Sequence, residues 1–158
     1  MSEKKKESGE KVVAVNRQAG HTYHLLDRFE AGLVLQGTEV KSIREGRVNL
    51  KDSYAGFERD ELFLIQCHIS PYTHGNRENH DPLRKRKLLL HRREIRRLIG
   101  KIAQRGFTLV PTRLYFRNGR VKVELALARG KKEHDRRAAT REREQEREVR
   151  AALKERNR

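Results

Sequence analysis

The sequence has 158 residues, the length of one typical domain with a tail. Lys and Arg number 38 against 22 Asp and Glu, and the net charge of +16 indicates a polyanionic partner such as nucleic acid. A single cysteine, Cys67, excludes an internal disulfide. Without a signal-peptide core or a run of about 18 apolar residues, we expect a cytoplasmic protein with no membrane contact.

The amino-terminal part predicts short strands. Residues 1–10 mix lysine and glutamate without an apolar pattern, so we expect a disordered arm. Apolar runs at 12–15, 23–29 and 33–35 predict strands.

A small helix is predicted at 39–45, with Thr38 as its N-cap. Val40 and Ile43 are three residues apart and are expected to face inward, whereas Glu39 is expected to stay in water. A strand pattern follows. This order of strand, helical turn and strand is typical of a small closed sheet with a helix plugging one side.

Two further segments come before the most basic part of the chain. Residues 53–58 and 62–68 predict a hairpin, and Cys67 is expected to be a buried thiol. Residues 70–82 have almost no apolar content and predict a long exposed loop.

A basic helix is predicted before Gly106, which is interpreted as its C-terminal cap, with His91 and Glu94 at capping-box spacing. Its apolar face consists of Ile95, Leu98, Ile99 and Ile102. Ten basic residues and one acid, Glu94, lie between Leu83 and Arg105, which favours RNA binding over an ordinary solvated face. The basic residues are Arg84, Lys85, Arg86, Lys87, Arg92, Arg93, Arg96, Arg97, Lys101 and Arg105.

Residues 107–128 predict a hairpin around Asn118-Gly119, the strongest short hairpin signal. On the inward face the turn sets the pairs Phe116–Val121, Leu114–Val123, Thr112–Leu125 and Val110–Leu127. On the other face Arg113 pairs with Glu124, and Tyr115 lies beside Lys122. Tyr115 is therefore expected to be an exposed platform for stacking on RNA bases.

From Arg129 onward the chain has twelve basic and seven acidic residues but few large apolar ones. We expect a tail that is disordered when free and helical against a polyanion. The predicted domains are an arm at 1–10, an RNA-binding domain at 11–128 and the basic tail at 129–158.

Other functions have weaker support. His68, His74 and His80 are six residues apart, a spacing that matches no metal motif, so neither a metal nor another cofactor is expected. His134 and Asp135 could belong to a small nuclease, but they lie in a segment too flexible to hold catalytic groups in place.

Leu88, Leu89 and Leu90 cannot all face one way in a strand, so one of them is expected to point outward.

Five blocks of the sequence resemble the SmpB family, the SsrA-binding proteins of bacteria that are partners of transfer-messenger RNA (tmRNA). The blocks are VNRQAGHTY, FEAGLVLQGTEVKS, NLKDSYAGF, DPLRKRKLLL and RGKKEHDRR. The resemblance implies a mainly β fold, namely a small closed antiparallel barrel of the oligonucleotide-binding type with two or three short helices and a basic C-terminal tail.

The resemblance also implies a function without enzymatic activity. The protein would bind the tRNA-like domain of tmRNA and support its charging by alanyl-tRNA synthetase. With EF-Tu and GTP it would deliver tmRNA to stalled ribosomes, where its tail would enter the empty mRNA channel and fold as a helix at the decoding centre.

The functional residues of the family are carried over onto this sequence. For contact with tmRNA they are Asn16, Glu30, Leu89 and Lys122, to which we add Lys41 and Tyr115. For the tail on the ribosome they are Gly130, Lys131, Lys132, His134, Asp135, Arg136 and Arg137. The alternative from composition alone is a general basic ribosomal or ribosome-assembly protein.

Overall fold

The computed structural model describes residues 9–74, 79–104, 106–131 and 133–157, with the backbone alone for 133–136 and 139. Most of the predicted arm, part of the predicted loop at 70–82, and Lys132 therefore lie outside the described residues. In the described part the strands are β1 (Glu10–Val15), β2 (Tyr23–Leu33), β3 (Val48–Asn49), β4 (Tyr54–Glu58), β5 (Glu61–Ile65), β6 (His68–Ile69), β7 (Arg86–Leu89), β8 (Phe107–Arg117) and β9 (Arg120–Gly130). The helices are α1 (Ala19–Thr22), α2 (Gly37–Arg44), α3 (Arg92–Ile102) and α4 (Glu133–Arg156).

The main sheet closes into a ring of antiparallel strands. Its pairings run from β8 through β4, β5, β7, β2 and β9, and β9 pairs with β8 again. The strand β1 lies on the same edge of β8 as β4, beside residues 113–117, while β4 meets β8 at Leu109. The mainly β prediction is confirmed, and the described part contains four helices, one of which is long.

The hairpin of β8 and β9 turns at the predicted residues. Asn118 has φ 51° and Gly119 has φ 76°, the left-handed values that a two-residue turn of this kind requires. The predicted pairs are correct from the turn as far as Arg113 and Glu124.

Beyond that pair the predicted register is wrong by one residue. The register shifts between Pro111 and Arg113, so Leu125 faces Pro111 and not Thr112, and Val110 faces Ala126. A bulge adds one residue to one strand of a pair, and a pattern read outward from the turn does not reveal it.

The core lies inside the ring and is capped by two helices. Ile43 of α2 and Leu98 of α3 are fully buried against it. The strands contribute most of the remaining buried side chains, including Ala31, Leu62, Leu64, Leu88, Leu109, Leu114, Val123 and Leu125. Cys67 is also fully buried, as predicted, and burial raises the pKa of its thiol to about 11.

The prediction that Glu39 stays in water is wrong. The helix α2 begins at Gly37 with Gln36 as its N-cap, and Glu39 is the third helical residue, whose carboxylate accepts the Gln36 backbone N–H at 2.7 Å. The side chain is fully buried and also accepts hydrogen bonds from Arg84 and Arg86. Burial acts to raise the pKa of Glu39, but these hydrogen bonds outweigh it and hold the pKa below its usual value.

Arg86, expected to belong to an exposed basic patch, is fully buried. Its guanidinium donates to Glu39 and to three backbone carbonyls, those of Cys67 at 2.6 Å, Pro82 at 3.1 Å and Asp81 at 3.3 Å. All three guanidinium nitrogens, Nε, Nη1 and Nη2, therefore donate to an acceptor. These hydrogen bonds offset the free-energy cost of removing the charge from water.

The loop at 70–82 also differs from the prediction in one respect. The histidines of this loop were expected at the surface, but His80 is buried. Its Nε2 lies 2.9 Å from the carbonyl oxygen of Ile69 and its Nδ1 lies 2.9 Å from the hydroxyl of Thr38. Because the carbonyl can only accept, Nε2 is the donor to Ile69.

The predicted capping box of α3 is confirmed, since the Glu94 carboxylate accepts the His91 backbone N–H. The predicted end is wrong, because α3 stops at Ile102 with Ala103 as its C-cap. Gly106 has φ +90° and instead belongs to the turn that leads into β8.

The tail contains α4, with Val149 and Leu153 exposed. Disorder of the free tail, and the predicted domain boundaries, stay predictions. Across the described residues no helix is both long and apolar enough to span a membrane. The same residues contain no cluster of three His, Cys, Asp or Glu side chains suited to a metal ion.

We expect Glu39→Ala to lower the free energy of unfolding by about 3–5 kcal/mol, because it leaves the buried Arg86 without its carboxylate. Urea unfolding followed by circular dichroism measures the loss. The control is Glu58→Ala, which breaks an exposed pair with Lys85 and should leave the free energy of unfolding nearly unchanged, because water screens the two charges. Equal losses in the two variants would contradict the role assigned to Glu39.

Candidate nucleic-acid interface

Three predicted RNA-contact residues meet around Gly32 of β2. In the sheet Gly32 pairs with Leu89 of β7 on one side and with Lys122 of β9 on the other. A Cβ atom on Gly32 would lie 3.4 Å from the Leu89 Cβ and 3.8 Å from the Lys122 Nζ. Glu30 is two residues earlier on β2 and therefore on the same face. We call Glu30, Gly32, Leu89 and Lys122 the Lys122 surface.

Glu30 is held in a fixed position by two donors. The Tyr115 hydroxyl donates to its carboxylate at 2.5 Å, and the Arg117 guanidinium donates at 2.8 Å. The hydrogen bond from Tyr115 is the main cause that lowers the pKa of Glu30, and the charges of Arg117 and Lys122 act in the same direction. Glu30 is thus an ionised acceptor within a positively charged surface.

Tyr115 is not the exposed stacking platform that the sequence predicts. Its side chain is 1% exposed, because β1 pairs with this part of β8 and Val12 lies opposite Tyr115. The Arg113 guanidinium carbon lies 4.4 Å from its ring centroid. Burial is the first cause that raises the pKa of Tyr115, so the hydroxyl keeps its proton and donates to Glu30. Tyr115 positions Glu30 and has almost no surface of its own for a base.

A shallow cavity of about 270 Å³ borders the Lys122 surface. Its lining includes Leu89 and Lys122 as well as Val40 of α2 and Arg120. The arrangement puts cations beside an apolar floor, which suits a phosphate next to the face of a base. Sequence reasoning did not single out Arg117 and Arg120, although both flank the Asn-Gly turn.

The structure does not bring the other two predicted contacts into the Lys122 surface. Lys41 is exposed on α2, where its Nζ lies 5.4 Å from the ring centroid of Tyr72. Asn16 follows β1 and donates from its side chain to the Pro111 carbonyl at 3.0 Å. It lines a separate cavity of about 220 Å³ together with Tyr54.

Fewer basic side chains between Leu83 and Arg105 are both exposed and unpaired than the sequence suggests. Besides Arg86, four of its cations are held in ion pairs: Arg84 with Glu39, Lys85 with Glu58, Lys87 with Glu61 and Arg97 with Asp27. Arg105 lies outside the described residues. The cations without an ion pair, judged within the described chain, are Arg92, Arg93, Arg96 and Lys101.

The start of the tail is attached to α1. Gly130 pairs with Tyr23, the Lys131 backbone N–H donates to Thr22 at 3.1 Å, and the Lys131 Nζ donates to the Gly20 carbonyl at 2.9 Å. Of the other predicted tail residues, Lys132 lies outside the described residues, His134, Asp135 and Arg136 follow in the backbone of α4, and the Arg137 side chain is exposed.

One contact also joins the body of α4 to α1. The Thr140 hydroxyl lies 3.3 Å from the Nε2 of His21. The tail thus leaves the ring on the α1 side, and its first turns stay against that short helix.

Comparison with known proteins identifies the chain's relatives. The family model described as SmpB protein matches residues 13–155. An SsrA-binding protein of Geobacillus kaustophilus (strain HTA426) is 60% identical over 146 residues, covering 92% of this chain and 94% of the relative. One from Geobacter sulfurreducens (strain ATCC 51573 / DSM 12127 / PCA) is 53% identical over 149 residues, covering 94% and 97%.

A solved structure, described as "tmRNA-SmpB: a journey to the center of the bacterial ribosome", has a similar fold and sequence. Its TM-score is 0.64, its identity is 54%, and the match covers 76% of this chain and 85% of the solved one. Sequence and fold agree, and the chain belongs to the SmpB family.

Proposed function

We propose that this protein is a non-enzymatic RNA-binding adaptor of trans-translation that binds the tRNA-like domain of tmRNA through the Lys122 surface. The observation that carries the proposal is the ionised Glu30, fixed by Tyr115 and Arg117 beside Lys122 and Leu89. Family membership supports it, since the relatives are named SsrA-binding proteins and SmpB proteins bind RNA rather than act as enzymes.

Each side chain of the surface has a chemical role. The Glu30 carboxylate accepts from a ribose hydroxyl or from the edge of a base, Lys122 neutralises a phosphate, and Leu89 presents apolar area to a base face. Because Glu30 already accepts two charge-assisted or strong hydrogen bonds, RNA meets it in a set geometry. The pre-formed surface therefore loses little conformational entropy on binding.

The proposal also covers the type of barrel, the delivery of tmRNA to the ribosome and the role of the tail. The ring of strands is taken to be a barrel of the oligonucleotide-binding type. EF-Tu with GTP delivers the tmRNA complex to a stalled ribosome in the cytoplasm, after alanyl-tRNA synthetase has charged tmRNA. The tail from Gly130 to Arg137 then enters the empty mRNA channel near the small-subunit decoding centre. Two properties of the tail support this step: its positive charge and its position away from the Lys122 surface.

The test is a gel-shift measurement with the tRNA-like domain of tmRNA, an elongator tRNA as competitor and a salt series. The full chain and a chain ending at Gly130 should both bind the tRNA-like domain selectively. Binding without selectivity would favour a general basic ribosomal protein.

Lys122→Glu is expected to weaken binding to the tRNA-like domain by at least about tenfold. The change removes a phosphate contact and puts a second carboxylate beside Glu30. Lys154→Glu, which makes the same change of charge in α4, is the control and should change the affinity less than about threefold. If both variants lose the same affinity, binding follows net charge and not the Lys122 surface.

The double variant His134→Ala/Asp135→Ala is expected to bind tmRNA with unchanged affinity and to abolish tagging of nascent chains on stalled ribosomes. In the proposal these residues act on the ribosome only. An in vitro translation assay with a message lacking a stop codon measures tagging, with Glu155→Ala as a control in the same helix. Loss of tmRNA affinity in the double variant would place the tail in the tmRNA site.

A further inference from the structure

A second groove lies on the other side of Leu89, between α3, β7 and the turn that joins β4 to β5. We call it the α3 groove, and its volume is about 670 Å³. Its floor is formed by Leu89, Ile95 and Ile99, and its rim carries Arg59, Arg92 and Arg96.

The floor of the α3 groove is apolar and accessible. Leu89 is 50% exposed and Ile99 is 36% exposed, although both belong to regular elements with a buried core beneath them. A concave site with apolar side chains and a few charged groups around them has the composition of a ligand pocket.

The rim of the groove has an excess of positive charge. Arg92 and Arg96 are four residues apart on α3, so they stand on the same side of the helix and repel each other. Neither they nor Arg59 makes an ion pair with another described residue. An anion bound between them would relieve that repulsion.

The acids near the groove reduce this charge only in part. Four cations and two acids line it, and one of the acids, Glu61, lies 3.3 Å from the Lys87 Nζ. The acid on α3, Glu94, accepts the His91 backbone N–H at the start of the helix. Among the described residues, therefore, no carboxylate forms an ion pair with the guanidinium group of Arg92 or Arg96.

Leu89 connects the two sites, because it lines both the α3 groove and the cavity beside Lys122. We propose that the α3 groove binds a single-stranded stretch of RNA, with phosphates on Arg59, Arg92 and Arg96 and a base against Leu89 and Ile99. This inference rests on the proposed RNA-binding function and extends it to a second contact, for unpaired nucleotides. Guanidinium groups bind phosphate and carboxylate alike in two-point contacts, so the apolar floor, which can take the face of a base, is what favours RNA over an acidic peptide.

Binding of a fluorescein-labelled, unstructured RNA octanucleotide to the full chain tests the inference by fluorescence anisotropy. Arg92→Ala/Arg96→Ala should weaken binding about tenfold at low salt. It should also reduce the slope of log affinity against log salt by about 1.4, because two phosphate contacts of about 0.7 each are lost.

The matched control is Arg97→Ala/Lys101→Ala, a second pair four residues apart on the same helix whose first member already pairs with Asp27. It removes the same charge outside the groove and should change affinity less than about twofold. Equal losses in the two double variants, or no loss in the first, would overturn the α3 groove as a site.

Photo-crosslinking with 4-thiouridine in the octanucleotide gives an independent readout. Crosslinks are expected within residues 59–62 and 87–99, which include the lining of the groove, and crosslinks confined to the tail would contradict the inference. Displacement of the octanucleotide by a polyglutamate peptide of equal charge would also overturn it, because the groove would then recognise charge alone.

The two proposals fail in different ways. If the groove variant binds the octanucleotide normally while Lys122→Glu still loses the tRNA-like domain, only the groove is refuted. If Lys122→Glu retains the tRNA-like domain, the Lys122 surface is refuted, whatever the octanucleotide shows.

Discussion

The buried ion pair between Glu39 and Arg86 is the constraint on which the arrangement of this protein depends. Two opposite charges are removed from water, which is costly unless every donor and acceptor finds a partner. Here the partners come from α2, β7, the residue before β6 and the loop before β7. The guanidinium on β7 thus joins its own strand to α2, to the residue before β6 and to the loop just before β7, and Arg84 adds a second, partly exposed donor to the same carboxylate.

The same constraint explains why the Lys122 surface and the α3 groove have defined shapes. Arg86 is the first residue of β7 and Leu89 the last, so fixing one end of this four-residue strand also fixes the leucine between the two sites. On the opposite side, α2 is tied down through Glu39, which keeps Val40 beside the cavity that Lys122 lines. Two apolar residues of the surface that RNA would meet, Leu89 and Val40, are therefore positioned by an ion pair buried in the core.

Local patterns predicted much of the fold, and the failures share one cause. The hairpin at Asn118-Gly119 and the apolar face of α3 follow from turn chemistry and periodicity, which act over a few residues. Glu39 and Tyr115 were misjudged because their partners, Arg86 and Glu30, lie more than forty residues away in the chain. A residue's own neighbours do not show whether a distant strand covers it. In the candidate site, the cluster around Leu89 and Lys122 was implied by family resemblance and not by any local pattern.

The closed ring also determines when this chain can fold. Its last pairing joins β2 to β9, so Tyr23 meets Gly130 only after nearly the whole chain has been synthesised. Pairings at such sequence separation close slowly, since the entropy of a long loop must be lost before any contact forms. A nascent chain interrupted before β9 would leave the edges of β2 and β8 without their longest partner, open to pairing with other chains. Synthesis as far as Gly130 is therefore needed before the ring can close and the binding surface can form.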